Sequence, residues 1–183
     1  MREMNGFQRF IGHLRTVTRH RHKVIAHCAK AGILWQGLRH DLSKYGKTEF
    51  WQGVRFFDGT HSPTEDERRT LGYSLAWMHH KGRNRHHWEY WTDYSVTEKR
   101  YVPMPMPRRF MAEMLCDRIA ASKIYNGAAY TDAAPLDYLM RGKMHDAMHP
   151  ETRRTLERFL TQLRDEGEAA MFASLRAWVK EKP

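Results

Sequence analysis

The spacing of apolar residues limits the fold of this chain more than any other feature. Nearly every long segment repeats its apolar residues with a period close to 3.6, and strict alternation over a strand length is hard to find. Amphipathic helices produce the first pattern, and half-buried strands produce the second. We therefore expect an all-α, single-domain helical bundle. A chain of 183 residues suffices for one continuous core but hardly for two.

Glycines, prolines and capping residues set approximate helix boundaries. The clearest start is Ser62-Pro63-Thr64-Glu65, which combines an N-cap serine, a proline at the first helical position and a capping-box glutamate. Prolines within 102–107 predict an extended connector. The expected helices span about 6–30, 34–45, 47–57, 62–80, 84–91 and 108–125, with two more within 150–181.

Composition limits the partners and the compartment. Lysine and arginine number 31 and aspartate and glutamate 21, a formal charge of +10, which favours an anionic partner such as a phosphorylated small molecule or nucleic acid. There is no run of about 18 apolar residues and no secretory pattern, so we expect a cytoplasmic protein without a membrane partner. Cys28 and Cys116 lie in apolar helical patterns and are expected to be buried thiols.

Histidines and aspartates form a pattern that suits a metal ion. His20 lies on the inward face of the first helix, and Asp117 lies within an apolar stripe of a later helix. His40 and Asp41 are adjacent, about 100° apart on a helix, so both can lean toward one ion. Neutral imidazoles and carboxylates bind zinc, iron, manganese or cobalt. Any one of these residues alone could be a hydrogen-bonded core residue. The combination of all four predicts a divalent transition-metal site.

Four more histidines lie between Asp41 and Asp117, in two adjacent pairs. They are His79, His80, His86 and His87. His79 and His80 lie on different helical faces, either of which could be the buried one, and the helical phase is lost across Gly82. The sequence therefore leaves open which of these four histidines are ligands.

These residues resemble a known family. The sequence LRHDLSK at 38–44, preceded by His20 and Gly32, resembles the HD superfamily of metal-dependent phosphohydrolases, and MLCDR at 114–118 resembles the helix with that family's last aspartate. QGLRHDLSKY at 36–45 and HHKGRNRHHWEYW at 79–91 are also similar to a bacterial and phage group, domain of unknown function 5662, over about 10–165. That second resemblance brings no established activity.

The HD resemblance implies an HD-like fold, a metal core over about 10–130 and a ligand set. The first metal would be held by His20, His40, Asp41 and Asp117. His22 and His27 are alternatives to His20, whose spacing from Val24 and His40 is the better match. Two-metal members use further histidines in the stretch that holds His79, His80, His86 and His87. The glycine-rich acidic motif of common phosphodiesterases is replaced here by RNRHH at 83–87.

Basic residues around such a site predict an anionic substrate. Lys44 lies one helical turn after His40, where it could hold a phosphoryl oxygen beside the metal. The other predicted substrate contacts are Arg83, Asn84, Arg118 and Lys123. Glu89 is predicted to act as a general base or to orient a ligating histidine, with an ion pair to Arg85 as the alternative.

Three functions fit these features. The preferred one is hydrolysis of a nucleotide or other small phosphoester by a metal-activated water, which Asp41 would orient while Lys44 stabilises the transition state, with one or two ions. An HD-type di-iron oxygenase would use the same ligand pattern. A basic nucleic-acid-binding helical module is favoured by the charge and by clusters such as 19–23, but recognisable reading modules are missing and Asp117 would have no role.

Overall fold

The computed structural model describes residues 4–142 and 146–181. Within them the chain forms eight α-helices and one two-stranded antiparallel sheet, which confirms the all-α prediction. The helices are α1 (Gly6–Lys30), α2 (Leu34–Arg39), α3 (Lys47–Arg55), α4 (Pro63–Leu71), α5 (Leu75–Lys81), α6 (Arg108–Asn126), α7 (Ala134–Arg141) and α8 (Pro150–Lys180). The strands are β1 (Thr92–Ser95) and β2 (Arg100–Pro103). None of these helices combines the length and the apolar character that a membrane span requires.

The hydrophobic core lies between α1, α6 and α8. Val24 of α1, Ile119 of α6 and Leu160 of α8 are completely buried, and the core extends to α7 through Leu139. Each of these three helices has an apolar stripe at helical spacing. The stripes pack against one another because this removes their apolar surface from water. Cys28 and Cys116 are free thiols in this core, as predicted.

Helix α1 begins and ends where the sequence predicts. Asn5 accepts a hydrogen bond from the backbone of Gln8, whose side chain binds the backbone of Asn5, a complete capping box. Gly32 follows the helix with a φ of 78°, a left-handed conformation that favours glycine. His20 and His27 both lie on its buried face.

The predicted helix over 34–45 is wrong beyond Arg39. Asp41 adopts a left-handed conformation with a φ of 52°, which ends the helix, and a 3₁₀ turn follows over Leu42–Tyr45. Four residues that the single-helix prediction placed inward are exposed instead. They are Leu34, Leu38, Leu42 and Tyr45.

The predicted helix over 62–80 is divided in two. Gly72 ends α4 with a φ of 80°, and Ser74 begins α5 by accepting a hydrogen bond from the backbone of Trp77. The predicted helix over 84–91 shortens to a 3₁₀ turn over Trp88–Tyr90. The sequence analysis did not predict α7 or the β1–β2 hairpin. The two C-terminal helices are the two parts of α8, which is interrupted at Gly167 with a φ of 84°.

His13 gives the protein a testable dependence of stability on pH. Burial, with a smaller contribution from the charge of Lys44, lowers the pKa of His13 to about 4. In the unfolded chain His13 therefore becomes protonated near pH 6.5, whereas in the folded chain it becomes protonated only near pH 4. Stability should fall by up to about 1.4 kcal/mol per pH unit as the pH decreases across this window.

The His13→Gln variant should lose this share of the pH dependence. Urea unfolding between pH 7 and pH 4 in the presence of a chelator would measure it, because the chelator removes metal binding from the comparison. His22 is exposed on the same helix, so His22→Gln is the matched control and should unfold like the parent protein. Equal pH dependence in His13→Gln and the parent would contradict the assignment.

Candidate metal centre

The left-handed conformation of Asp41 directs two adjacent side chains into the interior. His40 is extended, with φ −55° and ψ 129°, and Asp41 follows with φ 52° and ψ 27°. Both residues are 1% exposed. A left-handed conformation costs a residue other than glycine roughly 1–2 kcal/mol, and aspartate tolerates it better than most. Such strain is concentrated at functional sites, where the surrounding structure maintains it.

The first group of possible ligands joins α1, the His40–Asp41 segment and α6. His20 Nε2 lies 2.9 Å from Asp117 Oδ1 and 4.0 Å from Asp41 Oδ2. His40 Nε2 lies 3.3 Å from Asp41 Oδ2 and 3.5 Å from Asp117 Oδ1. Atoms that bind one transition-metal ion at about 2 Å lie at such separations from one another. The structure thus brings together the four residues predicted for the first metal.

The second group uses the other oxygen of Asp41. Asp41 Oδ1 lies 3.3 Å from His80 Nε2 and 3.4 Å from His86 Nε2, and His87 completes the set. Burial lowers the pKa of His87 well below its ordinary value, and nearby histidines add to this, so the ring stays neutral as a ligand must. Because one oxygen of Asp41 faces each group, this carboxylate can bridge two ions.

The inward atoms of both groups fit a cation. The buried atoms without a hydrogen-bond partner in the described structure include His20 Nε2, His40 Nε2, both oxygens of Asp41, and the Nε2 atoms of His80, His86 and His87. Each buried polar atom left unpaired costs about 1–3 kcal/mol. Lys44 lies near Asp41 Oδ2 and Asp117 lies near His20 Nε2, but so many buried polar atoms converging on one place are unfavourable unless cations neutralise them. Metal ions do so, and the donor set of imidazoles and carboxylates is the one that transition metals take in proteins.

Two glutamates contact the histidines behind the ligand groups, at the Nδ1 atoms, whereas the Nε2 atoms of His40, His80 and His86 face Asp41. Glu113 Oε1 accepts a hydrogen bond from His40 Nδ1 at 2.9 Å and lies 3.2 Å from His86 Nδ1. Glu49 is 2.7 Å from His80 Nδ1 and 2.6 Å from His79 Nδ1. A carboxylate at Nδ1 holds the proton there, which leaves the Nε2 lone pair free for a metal. Burial opposes ionisation of Glu113, but its bonds to the histidines lower the pKa of Glu113 to about 2.

The first group opens to solvent beside Asp117 and His20, and in the second group His87 is also partly exposed. The side chains of Asp117 and His20 are 16% and 10% exposed, whereas those of His40, His80 and His86 are 3% exposed or less. Lys44 borders this opening, with Nζ 2.7 Å from Asp41 Oδ2. Burial would lower the pKa of Lys44, but the charges of Asp41 and Asp117 raise it above its ordinary value. Lys44 therefore remains a cation beside the opening.

Comparison with known proteins places the chain in a family. The model of a family of unknown function, DUF5662, matches residues 9–162. The chain belongs to this family. The match includes both ligand groups and the two glutamates behind them. Neither the curated proteins nor the solved structures contain a match to the chain.

Other predicted ligands of this DUF5662 protein lie outside the two groups. His79 binds Glu49 beside His80, so it supports the centre from behind. His27 donates its Nδ1–H to the backbone oxygen of Cys116 at 3.2 Å and packs against Phe172. His22 is exposed. Of the three candidates on α1, the structure brings only His20 to the centre.

The predicted substrate contacts separate into different places. Asn84 donates to Ser43 Oγ and to the backbone oxygen of His80, so it braces the second group. Lys123 pairs with Glu168 of α8, and Arg83 is exposed. Arg118 follows Asp117 directly, and its buried Nε has no hydrogen-bond partner among the described residues.

Glu89 is partly buried and belongs to neither ligand group. Burial raises the pKa of Glu89, and its buried Oε2 has no hydrogen-bond partner in the part of the chain that the structure describes. Its predicted part in proton transfer stays a prediction.

Sequence reasoning missed Glu49 and Glu113. A glutamate within a helix usually faces solvent, so neither position looked unusual. One signal was available for Glu113, which lies four residues before Asp117 and therefore on the same side of α6. Glu49 offered a weaker signal, since it lies in an aromatic helix between Phe50 and Thr48 with no periodic partner.

Proposed function

We propose that this protein is a metal-dependent phosphoester hydrolase with a two-ion centre, acting on a nucleotide or another small phosphorylated molecule. The observation that supports it most directly is Asp41, which turns one oxygen toward each of two groups of unpartnered imidazoles. His20, His40 and Asp117 would hold one ion with Asp41, and His80, His86 and His87 would hold the other with it. The resemblance of residues 38–44 and 114–118 to HD phosphohydrolases supports the same chemistry.

Bound ions would lower the pKa of a water molecule and offset the charge on a phosphoryl group. The protein contributes a fixed framework for them. Glu49 and Glu113 hold the imidazole protons at Nδ1, and the left-handed backbone at Asp41 fixes the shared carboxylate. Preorganised ligands of this kind cost little reorganisation during a reaction.

Lys44 and the opening define where a substrate would bind. A phosphoryl group entering beside Asp117 and His20 would meet the Lys44 ammonium at the edge of the first group. Arg118, the next residue of α6, is a second cation beside Asp117. Divalent manganese, cobalt, zinc or iron suits the ligand set, and assays with each metal against nucleotides and simple phosphomonoesters test the proposal. Metal-loaded protein that hydrolyses none of them would contradict it.

The Lys44→Gln variant should keep its metal and lose most of its activity. Removing the ammonium takes away transition-state stabilisation, and loss of one such group lowers kcat by about 100-fold or more. Metal binding should not weaken, because in the parent protein the Lys44 ammonium competes with the ions for Asp41 Oδ2 and the variant lacks that competitor. Lys47 is exposed three residues later, so Lys47→Gln is the matched control and should retain full activity. Loss of metal from Lys44→Gln would instead make Lys44 a structural residue.

A di-iron oxygenase is the second candidate, favoured by the five histidines within two carboxylate-bridged groups. Histidine and carboxylate ligands suit iron as well as manganese or zinc. Iron content, together with oxygen consumption that depends on an added small substrate, distinguishes it from the hydrolase. Hydrolysis with redox-inactive zinc would exclude the oxygenase as the main activity.

A further inference from the structure

The amino-terminal part of the chain is basic without interruption. Between residues 4 and 40 the sequence has seven lysines and arginines and no aspartate or glutamate. Most of this stretch is α1, whose buried face supplies His20 to the metal centre. The opposite face is in solvent, and nothing in the proposed hydrolysis uses it.

Three of these cations follow one another along the exposed face of α1. Arg15, Arg19 and Lys23 are all exposed and follow one another at intervals of four residues. Four residues of helix span about 6 Å, so the three charges extend over about 12 Å. We refer to these three residues as the basic ridge.

The basic ridge is unpaired within the described residues, whereas several other surface cations have carboxylate partners. Within residues 4–142 and 146–181, no ion pair, side-chain hydrogen bond or ring contact involves any of its three members. By contrast, Arg69, Arg100 and Arg164 each pair with a neighbouring carboxylate. Three aligned charges without counter-ions of their own create a local positive potential that favours an anionic partner.

More basic residues continue the positive surface at the end of α1. Lys30, Arg176 and Lys180 border a groove between α1 and α8. Among the described residues, Glu168 is the only carboxylate that lines this groove, and it pairs with both Lys30 and Lys123. Past the end of the ridge, Arg176 and Lys180 continue the positive surface on α8.

We propose that the basic ridge binds the phosphodiester backbone of double-stranded DNA. A duplex has one negative charge per about 1.7 Å of its axis, so the length of the ridge faces several phosphates. Proteins that bind single strands stack bases on aromatic side chains, and Phe, Tyr and Trp are absent from positions 15 to 30 of α1. The ridge therefore fits backbone contacts to a duplex. This interaction is independent of the proposed hydrolysis and of metal.

The test measures binding of a short fluorescent DNA duplex by anisotropy, in chelator, at about 50 to 200 mM salt. The full chain is compared with a triple variant, Arg15→Gln with Arg19→Gln and Lys23→Gln. Each lost phosphate contact makes the slope of log K against log salt shallower by about 0.9, so the triple variant should lose about 2.7 from the slope. Its affinity at 100 mM salt should fall by about 100-fold.

The matched control removes the same net charge elsewhere. Arg69→Gln with Arg100→Gln and Arg164→Gln also lowers the charge by three, but at ion-paired positions. It should bind the duplex within about 3-fold of the parent. Equal weakening of the two triple variants would overturn the proposal, since general charge would then explain binding. Failure of the parent to bind the duplex, or tighter binding of the single strand, would overturn it as well.

Discussion

Replacing Asp41 with asparagine should remove both metal ions at once. Asp41 is the only residue shared by the two ligand groups, one oxygen facing each. An amide is a much weaker ligand than a carboxylate, and the lost negative charge would leave Lys44 and the imidazoles uncompensated. Elemental analysis of tag-free protein purified without chelator should show two ions per chain in the parent and close to none in Asp41→Asn. Hydrolysis should disappear with them.

Variants that change one ligand group at a time show whether the two ions are lost together or separately. His20→Ala removes a ligand from the first group alone, and His86→Ala removes one from the second group alone. Each should retain about one ion, whereas Asp93→Asn, at an exposed carboxylate on β1, should retain both. Two ions in Asp41→Asn would show that Asp41 is not a bridge. One ion in the parent would reduce the centre to a single-metal site.

Periodicity predicted the residues that lie on long helices. His20 is inward because it shares a face of α1 with Val17 and Val24, and Asp117 is inward because α6 is buried around it. Both positions follow from a period of 3.6 over more than five turns. Where the helices were long, the sequence alone therefore located the ligands that meet at the first group.

The short segments of the site have too few residues for periodicity to predict which way their side chains point. The left-handed turn at Asp41 depends on a single backbone conformation, which aspartate permits but does not require. His86 and His87 lie in a loop after Gly82, where no period exists to say which way they point. The contacts of Glu113 with His40 and His86 depend on tertiary packing of α6 against those segments. None of these features has a local pattern in the sequence.

Removing the metal should destabilise the folded protein strongly. Without ions, the buried atoms that face Asp41 have no hydrogen-bond partner, so the apo fold retains an unfavourable cluster. A ligand present at about 1,000 times its dissociation constant stabilises the native state by about 4 kcal/mol. For a chain of this size that corresponds to about 8–16 °C in Tm. Thermal unfolding of metal-loaded and chelator-treated protein measures the difference.

The cause of this shift can be separated from a general effect of the chelator. Asp41→Asn should unfold at the same temperature with and without chelator, because it has no ions to lose. The parent should regain its higher Tm when manganese, cobalt or zinc is returned, and the metal that gives the largest recovery identifies the best fit to the two groups. His20→Ala should show an intermediate shift, since the second group keeps its ion. An equal Tm of the parent with metal, with chelator and after metal is returned would contradict metal binding by both groups. Protonation and packing alone would then have to stabilise the inward imidazoles.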